Sequence, residues 1–124
     1  MLADHPIQPV LQATDLGAVR AFYHDLLGLP ILGESDRHLV FRCGGGTQLA
    51  VSKSTTGTAD TRTQATWLVD DVRAAVAWLR SRGVTVTAPP GLKTEDGIAD
   101  VGFAWGVWIV DPAGNTMGIA QMKH

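Results

Sequence analysis

Four histidines, one cysteine and twelve carboxylates are the side chains of this 124-residue chain that could bind a metal or move a proton. They do not gather. His5 stands three residues before Gln8, so in a regular strand the two face opposite sides. His24 falls on the flank of a helical segment, and His124 is the last residue given. His38, which opens "HLVFRC", is the one histidine placed to reach a site, and the facing of strand 38–43 is left open by the sequence. Cys43 has no nucleophile motif around it and reads as a small strand residue. Glu95, Asp96 and Asp100 share one long loop, either as acids for catalysis or as solvated loop residues. What recurs instead is glutamine. Gln8 precedes Asp15 by seven residues and Gln64 precedes Asp71 by seven, so both pairs repeat at an offset of 56. A carboxamide does not titrate and cannot transfer protons as an acid or base. It can donate and accept hydrogen bonds, and so orient carbonyls and hydroxyls.

The segments around these glutamines form a repeat. In "DLGAVRAFYHDLLG" (15–28), Val19, Phe22, Tyr23, Leu26 and Leu27 lie on one stripe of an amphipathic helix. Asp15 can cap its start and Gly28 can end it. In "DVRAAVAWLRSRG" (71–83), Val72, Ala75, Val76 and Leu79 repeat the stripe between Asp71 and Gly83. Each helix follows a strand-like run and precedes three more: "LPILGE", "HLVFRC" and "TQLAVSK", then "VTVTAPP", "GVWIVDP" and "NTMGIAQ". Each half therefore reads strand–helix–three strands, an internal duplication. The expectation is one domain, 1–124, of two βαβββ modules, about 1–54 and 62–124, joined by a linker of about 55–61. The second half also carries a longer loop, roughly 89–105, too mixed for a plain hairpin turn.

Composition sets the outer bounds. Apolar residues are 45% and charged residues 18%, as in an ordinary folded domain. The net charge of −2 offers no basic stripe for nucleic acid. No apolar run approaches the ~18 residues of a membrane span, and no charged-then-apolar leader opens the sequence. A lone cysteine excludes an intrachain disulfide and suits a reducing, cytoplasmic setting.

The duplicated unit, "D-L-x-x-x-x-x-F-Y-x-x-L-L-G-L-P" in the first half and "D-P-x-G-N" near the end resemble the vicinal oxygen chelate superfamily, the glyoxalase, bleomycin-resistance and extradiol dioxygenase group. The resemblance covers nearly the whole chain. It implies an α+β fold of two tandem βαβββ modules forming a cleft, helices outside, often in a homodimer. It also implies four decisive positions. Metal-dependent members keep His or Gln on the first strand of each module and Glu on the last. By spacing, those places here are Gln8, Gln48, Gln64 and Gly118. Three neutral amides and a glycine bring no imidazole and no carboxylate to offset a dication. No metal and no other cofactor is expected.

Strand alternation then gives a lining. With Gln8 go Val10 and Gln12; with Gln64 go Thr66 and Leu68; with Gly118 go Ala120 and Met122. Trp108 is placed on the neighbouring strand and Trp105 at the exit of the long loop, each read either as pocket or as core. The candidate ligand-binding set is Trp108, Gln8, Gln12, Gln48, Gln64, Leu68, Val10, Gly118, Met122, Trp105 and His38, with no catalytic residue. Gly118, read as leaving space at the cleft floor, is either a bulge or a pocket position. Such a lining binds rather than reacts. The reading is a metal-free, bleomycin-resistance-like protein that sequesters an aromatic or amphipathic natural-product antibiotic. The alternative is a metal-dependent lyase, isomerase or dioxygenase of the same superfamily. A scaffold or metabolite carrier without chemistry is the third.

Overall fold

Asp15 and Asp71, the residues on which the repeat is registered, each start a helix. Each carboxylate accepts a hydrogen bond from the backbone N–H three residues on, of Ala18 and of Ala74, both at 3.1 Å. Each thus satisfies a donor that the first helical turn leaves open. The structure, a computed structural model, describes residues 1–124. It divides into two units, Met1–Ala59 with Pro112–Gly114, and Asp60–Asp111 with Asn115–His124.

The first unit is a four-stranded sheet with the order β1 (Val10–Ala13), β4 (Gln48–Lys53), β3 (His38–Arg42) and β2 (Ile31–Glu34). Helix α1 (Leu16–Arg20) crosses from β1 towards β2 and continues as a wider π turn over Ala21–Leu26. The expected single helix to Gly28 is therefore correct in length but not in winding. Leu27 N–H reaches back to the Phe22 carbonyl at 2.9 Å, a local widening that leaves the apolar stripe in place. Val19, Tyr23 and Leu27 are buried, as are Leu11, Leu39, Phe41 and Val51 on the strands. The Tyr23 and Phe41 rings pack at 5.5 Å. Gly28 closes the segment at φ 76°, where a Cβ is disfavoured.

The second unit repeats the plan with additions. Its order is β5 (Asp60–Leu68), β9 (Asn115–Met122), β8 (Ala104–Val110), β7 (Ile98–Asp100) and β6 (Thr94–Glu95). Helix α2 (Val72–Ser81) buries Val72, Val76 and Leu79 and packs on β8 and β9. Three sequence expectations change here. "VTVTAPP" forms no strand. Only Thr87 pairs, exchanging two backbone hydrogen bonds with Trp108 at 2.8 and 2.9 Å, before Pro89 and Pro90 remove further donors. The long loop carries its own hairpin, β6–β7, added to the edge of β8. And β5 begins at Asp60, inside the stretch expected as linker.

The "DPAGN" turn is built from its first and last residues. Asp111, 3% exposed, and Asn115, fully buried, face each other across it. Asn115 donates from its backbone N–H to Asp111 Oδ1 at 2.9 Å and from Nδ2 to Oδ2 at 3.1 Å. This buried carboxylate is a turn strut.

Candidate functional site

Each sheet has one face under its helix and one open face, and pairing register sorts the residues between them. In the first unit the buried row Leu11–Val51–Leu39 lies on the helix side. The alternate rows, Val10–Ala50–Val40 and Gln12–Ser52–His38, therefore share the open face, and Gln48 sits beside Arg42. This fixes the facing of the 38–43 strand. His38 joins Gln12 on the open side, its Nδ1 2.9 Å from Ser52 Oγ. Gln8 lies before β1, yet it reaches the same surface: its Nε2 donates to Gln48 Oε1 at 2.7 Å. Two of the expected positions thus meet, as a hydrogen-bonded amide pair. Val10 remains half exposed.

The second unit does not repeat this arrangement. Between Thr63 and Ala65 the pairing of β5 with β9 slips by one residue, so a bulge falls at Gln64. The bulge leaves a strand donor without its usual partner, and Gln64 supplies one: its Oε1 accepts from Thr116 N–H at 3.1 Å. Gln64 is therefore used by the backbone. Thr63 and Thr66, three residues apart, are brought to the same side of the sheet, which strict alternation forbids. Both crowd Gly118. A Cβ on Gly118 would stand 2.7 Å from Thr66 Oγ1 and 3.2 Å from Thr63 Cγ2. The space that the sequence reading assigned to a missing side chain is already filled.

Trp108 shares this face. It pairs with Gly118 across β8 and β9, and Gly118 pairs with Thr66 on β5. Its indole Nε1–H donates to Thr63 Oγ1 at 2.7 Å. Since β9 lies between β8 and β5, the ring must extend over β9 to make that bond. Its six-membered ring lies against Gly106, where an added Cβ would meet Cη2 at 3.6 Å. The glycine at 106 leaves room for the indole to lie along the sheet. Leu68 and Met122, 72% and 45% exposed, belong to the same surface. The rows Thr66–Gly118–Trp108 and Leu68–Ala120–Gly106 carry no charged side chain.

Trp105 stands elsewhere. It is three residues from Trp108, so it faces the helix side, in the row Asp100–Trp105–Gln121. Lys123 Nζ lies 5.0 Å from its ring centroid and 2.8 Å from the Asp100 carboxylate. The structure does not bring Trp105 and Trp108 together. The loop carboxylates are also engaged: Glu95 with Arg73 at 3.6 Å, Asp96 with Arg80 at 3.2 Å, and Asp100 with Lys123. The Lys123 ammonium, then the Gly102 N–H, hold the Asp100 carboxyl below the usual carboxylate range.

The donor set can now be tested against a divalent cation. Gln8 and Gln48 are neutral amides joined by one hydrogen bond, Gln64 holds a backbone N–H, and Gly118 has no room for a ligand side chain. No group of three or more His, Cys, Asp or Glu is placed to hold an ion. These residues do not fit the metal that the resemblance implies for part of the superfamily.

Alternation already places Thr66 in the lining, and Thr63 is the residue that the sequence did not offer. Thr63 lies just past the expected linker of about 55–61, ahead of the run read as strand, and the slip that turns it to the face of Thr66 depends on pairing with a distant strand.

A family model described as the Glyoxalase/Bleomycin resistance protein/Dioxygenase superfamily matches residues 4–119. The chain belongs to this superfamily. Among solved structures it is similar to TnmS3, an antibiotic-binding protein from Streptomyces sp. CB03234, at 24% identity and TM-score 0.73, with 96% of each chain covered. It is similar to a glyoxalase-family protein from Bacillus anthracis at 15% identity and TM-score 0.75, with 96% of this chain and 95% of that one covered. It is also similar to a lactoylglutathione lyase from Agrobacterium tumefaciens at 22% identity and TM-score 0.68, with 94% and 92% covered. At these identities the likeness is one of fold. No curated protein matches the chain.

Proposed function

We propose that this protein is a metal-free binding member of its superfamily, on the bleomycin-resistance-like branch. It captures a flat aromatic or amphipathic natural product without chemistry and confers resistance by sequestration. The observation that carries this reading is the Trp108–Gly118–Thr66 row. Where metal-using relatives keep a carboxylate, this sheet offers an indole on a neutral surface. Stacking on an indole favours planar rings, and the absence of charge favours a ligand that is itself near neutral. The glutamine pair and His38 of the first unit give further hydrogen-bonding groups on that unit's open face. That the fold also serves an antibiotic-binding protein agrees with the reading. Cytoplasmic location and assembly as a homodimer complete the proposal; the free Cys43 suits a reducing compartment.

The test is a panel of aromatic antibiotics titrated against tryptophan fluorescence, with metal analysis of the same purified protein. At least one compound is expected to quench below about 10 μM. Trp108→Ala is expected to weaken that compound by about 1–3 kcal/mol. Unchanged affinity would return Trp108 to a packing role. Stoichiometric Fe, Ni, Zn or Mn would favour the lyase, isomerase or dioxygenase alternative.

A further inference from the structure

We infer that Thr63 is a positioning residue for the binding surface. It fixes the Trp108 indole against the sheet in the free protein, so that the ring is a preformed platform rather than a mobile flap. The inference rests on the binding role proposed for Trp108, and its physical core can be judged without any ligand.

A tryptophan on an open sheet face can adopt several rotamers, and a ligand that needs one of them must first order the ring. Here three features together select one arrangement. Gly106, two residues before Trp108 on the same strand, has no Cβ, and the six-membered ring lies against it. The slip at Gln64 turns Thr63 to the open face, although it is three residues from Thr66. The Thr63 hydroxyl then takes the indole N–H at 2.7 Å. That bond also sets the chemistry of the site. The only strong donor of the indole is used within the protein, so Trp108 offers its π face and not its N–H. The ligand class that follows is a neutral, flat ring system recognised by stacking, with no acceptor required opposite the indole nitrogen.

The test compares Thr63→Val, Thr63→Ser and Trp108→Phe with the unmodified protein, using 1-aminoanthracene as a neutral planar fluorescent probe. Proton–nitrogen spectra of the unliganded proteins come first. The indole N–H signal missing in Trp108→Phe identifies Trp108. That signal is expected to shift and exchange faster in Thr63→Val, and to stay near its original place in Thr63→Ser, which keeps the hydroxyl. Affinity for 1-aminoanthracene is expected to fall about five- to tenfold in Thr63→Val and to return in Thr63→Ser. Thermal midpoints within about 2 °C of one another would confirm that folding is intact. An unshifted Trp108 signal in Thr63→Val would overturn the inference, as would a shifted signal with unchanged probe affinity. If the unmodified protein binds no planar probe, the binding role falls, and the spectra alone then decide whether Thr63 holds the ring.

Discussion

Thr66 Oγ1 lies 2.7 Å from the point where a β-carbon on Gly118 would stand. Real Cβ atoms do not come so close, so the glycine is a steric requirement of the pairing between β5 and β9. Rotating Thr66 gives little relief, because a β-branched side chain would move its Cγ2, now 3.4 Å away, into the vacated place. Gly118→Ala is expected to destabilise the protein by about 1–3 kcal/mol, the range for overpacking. Chemical denaturation measures it. Thr66→Ala in the same chain should recover most of the loss, whereas a loss that is simply additive would place the strain elsewhere.

Asp111 is buried and holds Asn115 by two hydrogen bonds across the "DPAGN" turn. Removing the carboxylate leaves donors of a fully buried residue without these acceptors. Asp111→Ala is expected to cost about 2–3 kcal/mol, and Asp111→Asn distinctly less, since one acceptor oxygen survives. Equal costs would show that one acceptor is not enough and that the turn needs both carboxylate oxygens.

The Asp100 carboxyl is held below its ordinary range by Lys123 and the Gly102 N–H. A carboxyl whose folded pKa lies below its unfolded one adds stability above the unfolded value. That contribution is lost as pH falls through the folded pKa. The difference in thermal midpoint between the native protein and Asp100→Asn should therefore be constant above about pH 5 and shrink below about pH 4. Because the pair is exposed, the difference should also fall with added salt. A gap that widened in acid would contradict the assignment.

Much of the fold is legible in the sequence because its signals are local. Asp15 and Asp71 as caps, Gly28 as a stop and the stripe Val19–Tyr23–Leu27 each act within a few residues. The repeat at offset 56 then carries the first module's reading to the second. The site is less legible because its geometry depends on pairing between distant strands. Alternation places Trp108 and Gly118 on one face, and they are register partners. It also places Gln64 beside them, and there the slip in β5 intervenes. No local feature announces that slip. Trp105 is a different case: parity alone separates it from Trp108, but its place at the exit of a long loop leaves both pocket and core open in the sequence.

The slip at Gln64 also means that two copies of an ancestral unit need not have kept two copies of an ancestral task. Gln8 and Gln64 occupy equivalent places in the repeat, yet one donates an amide to another side chain and the other holds a strand together. A chain built from two first halves would keep the symmetry of the fold and lose the surface on which Trp108 lies. The halves share a plan of folding, but as surfaces they are not interchangeable.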